Sequence, residues 1–597
     1  MNIRPTIAHL YQERVRLSGD GVSYYYPENG RYSPVTWNQA YQTINELALG
    51  MWEMGLRHGD RVAVVSNSRH EWSTIDQAGL SFGGVVVGIY PTTVTEQVAY
   101  ILSHSEARIV FLEDNYQLTR LAAVLPTLPA LETIVLIDPS GAAAGNWLTL
   151  DDVRQRGRGL LAAQPDLRQQ TLEAVQPDDI AALVYTSGTT GLPKGVVLRH
   201  RNLFSVCQSV DEYLGLNHGE TGVVFLPMAH ILQRVNMYLG VYGNIIGYYA
   251  ADMLKVMETV QAAQPGTFSG VPRVFEKIHA RIMAGVAQSP PNRQKIFHGA
   301  LAAGVARSRY LQNGDAVPLL LRLKYGLYDR LVWQKLRHAI FGRNTRYLTS
   351  GAAPISKELL AFFHAMGLTI IEGYGLTETS SPITLNHPNR FKFGTVGPAL
   401  PGSAVKIGDD GEILLKGPGV FDGYYKNPEA TAAAFTEDGW FRSGDIGELD
   451  GDGFLRITDR KKNLLITAAG KNIAPAPIEN QMMNSPFISQ ALVLGDRRKY
   501  LVALLTLDGE AMGQWCEQQG KGALSLAEMA ADAEVQGLIG AVVAEVNGRL
   551  ASYETIKQFR ILPEEFSVAN GTLTPSLKLI RKPVEQKYQH LLDEMYG

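Results

Sequence analysis

The chain has 597 residues, of which 45% are hydrophobic and 19% are charged, a composition typical of a globular protein with several domains. Its 55 Lys and Arg residues against 58 Asp and Glu residues give a net charge of −3, which argues against a nucleic-acid-binding protein because such proteins carry a basic excess. The two cysteines, Cys207 and Cys516, exclude a disulfide framework and a zinc cluster. Since no stretch resembles a signal peptide or a membrane span, we expect a cytoplasmic protein.

The first half of the chain alternates helical and β patterns. The predicted elements are helices over 38–54 and 71–80 and strands over 61–66, 84–90, 108–112 and 133–138. Such alternation favours parallel sheets with helices on their faces. Ligands of these sheets bind beyond the carboxyl ends of the strands, so we expect a site there.

The pattern changes after about residue 395, where glycine turns become dense and short strands such as 411–416 lie between them. This texture predicts a small, twisted β subdomain. The charged run Asp459-Arg-Lys-Lys462 follows, and the rest of the chain has helix and strand patterns of its own. We therefore predict an α/β protein with a large N-terminal domain (1–459) of layered α/β subdomains plus the β subdomain. A hinge (460–462) and a small, mobile α+β C-terminal domain (463–597) complete the prediction.

The strongest local signal is Tyr185-Thr-Ser-Gly-Thr-Thr-Gly-Leu-Pro-Lys-Gly195, which follows a strand pattern over 180–185. Glycines let backbone N–H groups approach an anion, hydroxyls donate to oxyanions, and lysine adds a positive charge. The run is not a Walker A loop, because Gly195 and not Ser or Thr follows Lys194. It predicts a phosphate-binding loop, with a flexible surface loop as the alternative. The candidate residues are Thr186, Ser187, Gly188, Thr189, Thr190, Gly191 and Lys194.

This run and five further strings, in order, resemble the adenylate-forming superfamily of acyl-CoA synthetases, luciferases and peptide-synthetase adenylation domains. The strings are Gly351-Ala-Ala-Pro-Ile-Ser356, Glu372-Gly-Tyr-Gly-Leu-Thr-Glu378, Trp440-Phe-Arg-Ser-Gly-Asp445, Asp459-Arg-Lys-Lys-Asn463 and Gly571-Thr-Leu-Thr-Pro-Ser-Leu-Lys578. The resemblance spans nearly the whole chain. Segments 225–230, 270–278 and 468–475 are similar to the long-chain fatty-acid–CoA ligases in particular.

The resemblance implies a role for each motif. Besides the first loop, the residues implied in ATP and AMP binding are Gly351, Ala352, Ala353, Glu372, Gly373, Tyr374, Gly375, Asp445 and Arg460. Tyr374 would lie against the purine, and the carboxylate of Asp445 offers two acceptors to the ribose hydroxyls. A core tyrosine and a turn aspartate are the ordinary alternatives. Ala352 stands where many relatives have glycine.

The resemblance also implies the residues of the chemical steps. Lys578 would bridge the substrate carboxylate and the α-phosphate, Thr377 would contact phosphate, and Glu378 would be an oxygen ligand for Mg²⁺. The pocket and hinge residues implied are His230 beside the acyl chain, Gly470 beside the thiol arm of coenzyme A, and Lys462 at the hinge.

The implied function is ATP-dependent activation of a long-chain fatty acid, followed by transfer to coenzyme A, with domain alternation between the two steps. ATP, Mg²⁺ and coenzyme A are the expected cofactors and substrates, and homodimer formation stays open. Three alternatives stay open as well. They are a fatty acyl-AMP ligase that serves a carrier protein, a non-catalytic acyl- or nucleotide-binding homologue, and luciferase-like oxidation of the adenylate.

The segment 317–343 is unusually basic, with six Lys or Arg residues against one Asp. Its apolar residues Leu323, Leu327 and Leu331 recur at helical spacing, with Trp333 and Phe341 nearby. One interpretation is a helix that packs its apolar side on the core and leaves its basic side in water. The other is a basic amphipathic helix in peripheral contact with anionic lipid.

Overall fold

The structure is a computed structural model and describes residues 3–186, 192–250, 252, 255–466, 472–574 and 578–597. The strands are β1 (Val22–Glu28), β2 (Arg31–Thr36), β3 (Arg61–Val65), β4 (Val85–Ile89), β5 (Ala107–Leu112), β6 (Thr133–Leu136), β7 (Leu148–Thr149), β8 (Ile180–Thr186), β9 (Lys194–Arg199), β10 (Thr221–Val224), β11 (Ile246–Tyr249), β12 (Thr267–Gly270), β13 (Tyr347–Ser350), β14 (Thr369–Tyr374), β15 (Thr384–Leu385), β16 (Ala404–Ile407), β17 (Glu412–Lys416), β18 (Phe441–Leu449), β19 (Leu455–Arg460), β20 (Leu465–Ile466), β21 (Asn472–Ile473), β22 (Ile488–Leu494), β23 (Leu501–Leu507) and β24 (Ile556–Ile561).

The helices alternate with these strands along most of the chain. They are α1 (Ile7–Ser18), α2 (Trp37–Glu53), α3 (His70–Leu80), α4 (Thr95–Ser105), α5 (Asn115–Leu121), α6 (Leu150–Ala163), α7 (Leu167–Ala174), α8 (His200–Leu214), α9 (Ile231–Gly243), α10 (Val256–Ala263), α11 (Pro272–Ala287), α12 (Pro291–Gln312), α13 (Leu319–Tyr328), α14 (Gln334–Ile340), α15 (Lys357–Ala365), α16 (Pro428–Ala433), α17 (Pro475–Met483), α18 (Gly509–Gln518), α19 (Leu526–Ala531), α20 (Ala533–Asn547), α21 (Arg581–Lys587) and α22 (Gln589–Tyr596).

The largest sheet has seven strands in the order β7-β6-β5-β3-β4-β8-β9. All neighbours are parallel except β8 and β9. Strand β4 is apolar throughout and buried at every position, because helices cover both faces of the sheet. The predicted parallel sheet is confirmed, and the predicted helices and strands of this region agree with the observed ones to within one or two residues.

Two helices on this sheet cross closely because glycine lies at their contact. A Cβ atom built on Gly157 of α6 would lie 1.7 Å from the carbonyl oxygen of Glu46 in α2. Only glycine permits this backbone approach. Helix α2 begins with a capping box in which the side chains of Thr36 and Gln39 each accept a backbone hydrogen bond.

Three four-stranded sheets complete the N-terminal part. Their orders are β10-β11-β1-β2, β12-β13-β14-β15 and β16-β17-β18-β19. The last sheet is wholly antiparallel and is the predicted small β subdomain. Strands β12, β13 and β14 run parallel, so their carboxyl ends meet at one edge.

The C-terminal domain has a three-stranded sheet, β22-β23-β24, and a short hairpin, β20-β21. Its hydrophobic clusters are separate from the N-terminal cores, and the first of them begins at Leu465. Polar contacts join it to the N-terminal part. A guanidinium nitrogen of Arg273 lies 2.7 Å from a carboxylate oxygen of Asp508. The backbone N–H of Ala476 donates to the Asp459 carboxylate over 3.2 Å. A large N-terminal domain followed by a small C-terminal domain is thus observed, as predicted.

The basic segment 317–343 forms α13, a π-helical turn over Asp329–Trp333, and α14. Trp333 is fully buried, but Leu323, Leu327 and Leu331 are exposed. The interpretation in which this leucine row packs on the core is therefore wrong, because the opposite side of the helix makes that contact. Within the described residues, no helix has the length and apolar character needed to cross a membrane.

Candidate active site

One large cavity, of about 1740 Å³, holds every candidate residue that the structure describes. The residues that line it are Thr186, Lys194, His230, Gly351, Ala352, Ala353, Glu372, Gly373, Tyr374, Gly375, Thr377, Glu378, Asp445, Arg460, Lys462 and Lys578. The candidates Ser187, Gly188, Thr189, Thr190, Gly191 and Gly470 lie outside the described residues. Six motifs spread over almost 400 residues of sequence thus converge on one space between the two domains.

The sheets explain this convergence. Thr186 is the last residue of β8, Gly351 directly follows β13, and Tyr374 ends β14. Strands β13 and β14 are parallel neighbours in one sheet, so their carboxyl ends meet at one edge. Strand β8 belongs to the seven-stranded sheet, and its carboxyl end opens into the same cavity. The site therefore lies where the alternating pattern predicts it.

Asp445 is at the centre of a cluster of hydrogen-bonded side chains. The cluster lies on the side of the cavity that the β subdomain forms. The Tyr374 hydroxyl donates to one carboxylate oxygen over 2.7 Å, and Nε of Arg460 lies 3.2 Å from the other. The Ser443 hydroxyl accepts from the Asp445 backbone N–H over 3.0 Å. Burial raises the pKa of Asp445, whereas the charge of Arg460 lowers it. Tyr374 is thus held by its hydroxyl, with its ring in the cavity wall.

The backbone beside Tyr374 and in the string Gly351-Ala-Ala-Pro-Ile-Ser356 is constrained. A Cβ atom on Gly375 would lie 2.3 Å from the Ser381 carbonyl oxygen, so close backbone approach is one reason for glycine there. Ala352 has a φ of +70°, in the left-handed region that favours glycine.

Lys578 brings the C-terminal domain into the cavity. Its loop closes on itself, since the Lys578 backbone N–H donates to the Thr574 hydroxyl over 3.0 Å and the Thr574 N–H donates to the Lys578 carbonyl over 2.8 Å. Protein surrounds the Lys578 side chain on most sides, and the side that faces the cavity is open to solvent. Burial and the charge of Arg460 lower the pKa of Lys578, and the carboxylates of Asp445 and Glu378 raise it. The ammonium group thus lies within electrostatic reach of residues from three N-terminal motifs.

His230 lies at the start of an arm of the cavity that extends away from Lys578 along α9. It is the N-cap of α9, and its Nδ1 accepts a hydrogen bond from the Leu232 N–H over 3.1 Å. Burial and the charge of Lys578 lower the pKa of His230 to about 4. The ring is therefore neutral near pH 7 with its proton on Nε2, where it is a hydrogen-bond donor.

From His230 the cavity follows α9 as far as Val241 and reaches Tyr11 and Trp37. Ten residues of helix measure about 15 Å, so this arm is long. Such a shape fits an extended apolar chain.

A buried ionic group fixes the helix that lines this arm. Arg234 of α9 pairs with Asp76 of α3, and the Tyr238 hydroxyl donates to the same carboxylate over 2.7 Å. All three side chains are buried. The group holds α9 in one position on α3, because displacement would leave a buried charge without its partner.

Tyr424 is a site residue that sequence analysis did not identify. Its hydroxyl donates to Oε1 of Glu378 over 2.8 Å, and Nζ of Lys194 lies 5.0 Å from the centre of its ring. One side chain thus connects two of the predicted motifs. The only sequence signal is its place in Gly423-Tyr-Tyr425, which alone predicts no role.

Glu378 has the chemistry of a magnesium ligand. The Tyr424 hydroxyl donates to one of its carboxylate oxygens, and Glu378 lines the cavity next to Thr377. Mg²⁺ commonly takes one or two carboxylates together with substrate phosphates, so a single carboxylate fits such a site. Among the described residues, no group of three His, Cys, Asp or Glu side chains could hold a metal ion without a substrate.

Comparison with known proteins agrees with this geometry. The AMP-binding enzyme family matches residues 11–425, and the AMP-binding enzyme C-terminal domain matches residues 462–597. The long-chain-fatty-acid–CoA ligase FadD15 of Mycobacterium bovis is 39% identical over 99% of this chain and 97% of its own. The human long-chain-fatty-acid–CoA ligase ACSBG1 is 31% identical over 99% and 85%.

Solved structures show the same fold at lower identity. The anthranilate CoA ligase AuaEII in complex with anthranoyl-AMP superimposes with a TM-score of 0.72 at 19% identity, covering 98% of each chain. The adenylation domain of a carboxylate reductase from Mycobacterium chelonae gives a TM-score of 0.73 at 22% identity over 99% of this chain and 91% of its own. The chain therefore belongs to the AMP-binding enzyme family, and its curated relatives place it among the long-chain fatty-acid–CoA ligases.

Proposed function

We propose that this protein activates a long-chain fatty acid with ATP and transfers the acyl group to coenzyme A, releasing AMP and pyrophosphate. The observation that carries the proposal is the cavity itself. Residues from all six strings of the family resemblance line it, from Thr186 to Lys578, beside a long apolar arm. Relatives that share more than 30% of the sequence over nearly the whole chain are named long-chain fatty-acid–CoA ligases.

The chemistry requires two steps because a carboxylate is a poor electrophile. In the first step a carboxylate oxygen attacks the α-phosphorus of ATP, and the bond from that phosphorus to the β-phosphate oxygen breaks. The product is an acyl-adenylate, in which AMP has become a good leaving group. In the second step the sulfur of coenzyme A attacks the acyl carbon, and AMP leaves.

The nucleotide is held by the N-terminal domain in this proposal. The loop over 186–194 binds the β- and γ-phosphates, with Lys194 supplying positive charge. Asp445 accepts from the ribose hydroxyls, and the ring of Tyr374 lies against the purine. Glu378 is the carboxylate that holds Mg²⁺, which neutralises phosphate charge when bound.

Lys578 serves the first step. Negative charge spreads over the phosphoryl oxygens as the α-phosphorus is attacked, and a positioned ammonium group stabilises that charge. The acid enters the arm along α9, and its carboxylate lies between Lys578 and the neutral ring of His230.

A domain rotation separates the two steps. The C-terminal domain turns about Lys462, which removes Lys578 from the site and brings the segment that contains Gly470 to the thiol. One cavity thus performs two reactions in turn.

The first test incubates the purified protein with ATP, Mg²⁺ and fatty acids of graded length, with and without coenzyme A, and identifies products by mass spectrometry. We expect an acyl-CoA. An acyl-adenylate that accumulates and ignores coenzyme A would contradict the proposal and support a carrier-protein acceptor. Neither product would support a non-catalytic homologue.

The second test isolates the role of Lys578. Lys578→Ala should strongly reduce adenylate formation but leave thioester formation from supplied acyl-adenylate unchanged. Lys557→Ala, at an exposed lysine of the same domain, is the matched control. Equal loss of both half-reactions in Lys578→Ala would contradict the role.

A further inference from the structure

Exposed apolar side chains are concentrated on one part of the molecule. Of the 14 large hydrophobic residues that are exposed within the described chain, eight lie between Ile296 and Leu331. Leu320 is 82% exposed and Leu319 is 69% exposed. Single exposed apolar residues are ordinary, but five exposed leucines within the one helical segment 319–331 mark an interaction surface.

The arrangement of α13 accounts for this exposure. At about 100° per residue, four leucines fall within an arc of about 100° on one side of the helix. They are Leu319, Leu320, Leu323 and Leu327. The other side of α13 packs on α12. Arg307 of α12 lies 4.5 Å above the ring of Tyr325, and Tyr328 lies against Gly299.

Basic residues border the leucines. Arg322 and Lys324 lie on either side of the leucine arc, and Arg330 follows in the next turn; all three are exposed. From 291 to 343 there are ten Lys or Arg residues and two acidic residues. One of the two acids, Asp329, already forms an ion pair with Arg337 at 2.6 Å. The surface is therefore both apolar and strongly positive.

We propose that this α12–α13 hairpin docks the protein on an anionic lipid bilayer, with the leucines among the acyl chains and the basic side chains at the lipid phosphates. A helix with an apolar side between cationic borders lies in the plane of such an interface. A protein partner would need acidic groups on both sides of an apolar groove, whereas an anionic bilayer supplies both features everywhere on its surface. Docking is independent of the proposed reaction and is measured without ATP or fatty acid.

The test is flotation of the full-length protein with vesicles of phosphatidylcholine, alone or mixed with phosphatidylglycerol. We expect binding to the mixed vesicles, and we expect high salt to weaken it. Leu320→Ser combined with Leu323→Ser should lower the partition coefficient at least tenfold, because both side chains leave water on docking. Leu17→Ser is the matched control, since Leu17 is 51% exposed on α1, outside the hairpin.

Charge is tested separately. Arg322→Gln combined with Lys324→Gln should lower binding to the mixed vesicles by about 25-fold, at about fivefold per charge near the surface. Arg497→Gln, which removes an exposed charge from the C-terminal domain, should change binding little. Unchanged thermal unfolding would show that the variants are folded.

Three outcomes would overturn the proposal. Wild-type protein that fails to float with anionic vesicles would do so, and so would a leucine variant that binds as well as Leu17→Ser. The third is a concentration-dependent dimer that the leucine variant abolishes, which would assign the surface to a second copy of the chain.

Discussion

Tyr424 gives the sharpest test of the site geometry, because its ring and its hydroxyl have different partners. The hydroxyl donates to Glu378 over 2.8 Å, and the ring lies under the ammonium of Lys194 at 5.0 Å. Tyr424→Phe removes the hydrogen bond and keeps the ring, and Tyr424→Leu removes both. We expect these losses to affect the nucleotide step, in which Glu378 and Lys194 are proposed to act on the phosphates.

The expected magnitudes follow from the two contacts. A hydrogen bond to a charged group contributes about 1.5–3 kcal/mol, and the half-buried position of Tyr424 favours the lower end, so Tyr424→Phe should lower kcat/KM for ATP about tenfold. A cation–π contact at a partly exposed site contributes about 0.5–1 kcal/mol, so Tyr424→Leu should lose about threefold more. Both variants should need more Mg²⁺ for half-maximal rate, because Glu378 is no longer held in one orientation.

The assay is pyrophosphate exchange into ATP in the presence of a fatty acid, measured over a range of Mg²⁺ concentrations. Tyr425→Phe is the matched control, because the neighbouring ring contacts His104 and not Glu378. If Tyr424→Phe matched the wild type at every Mg²⁺ concentration, the hydroxyl would have no positioning role. If Tyr424→Leu also matched it, the whole argument would be refuted.

Three further predictions concern stability. Ala352→Gly should raise the free energy of unfolding by about 1 kcal/mol, because φ is +70° there; a lower thermal midpoint would contradict that conformation. Burial lowers the pKa of His364 to about 4, so as the pH falls from 7 to 5 only the unfolded state takes up its proton. The free energy of unfolding should thereby fall by about 2 kcal/mol, and His364→Gln should remove this part of the pH dependence. If the free energy of unfolding changed with pH in the same way in the wild type and in His364→Gln, the prediction would be contradicted. Arg234→Met should cost about 3–5 kcal/mol by leaving Asp76 buried and unpaired, and Asp76→Leu should rescue it in denaturant unfolding; additive losses would argue against the pair.

Much of the fold and the site could be predicted because the signals are local. Strand β4 is an apolar run between a helix pattern and Pro91, and the run proposed to bind phosphate follows the strand pattern of β8 in the sequence. The roles proposed for Asp445 and Lys578 required the family resemblance, because each stands in a short string of residues that has no distinctive chemistry by itself. Their common cavity became evident only when the sheets placed the strand ends together.

Other features could not be predicted because they depend on contacts between distant residues. Tyr424 and Glu378 are 46 residues apart, and no pattern in either motif indicates their hydrogen bond. The spacing of Leu323 and Leu327 predicts a helix with an apolar side, but periodicity does not say whether that side meets the core or the solvent. The packing of Tyr325 on α12 decides that question.

The contacts between the domains are compatible with alternation. The backbone of Lys578 forms two hydrogen bonds with Thr574 of the same domain. The Arg273–Asp508 pair between the domains is partly exposed, and such pairs contribute at most about 1 kcal/mol. The cost of separating this pair is therefore small against the binding free energy that substrates supply. The two hydrogen bonds between Thr574 and Lys578 lie within the C-terminal domain, so the proposed rotation does not need to break them. In the proposed mechanism, Lys578 would therefore leave the cavity together with Thr574 before the second step.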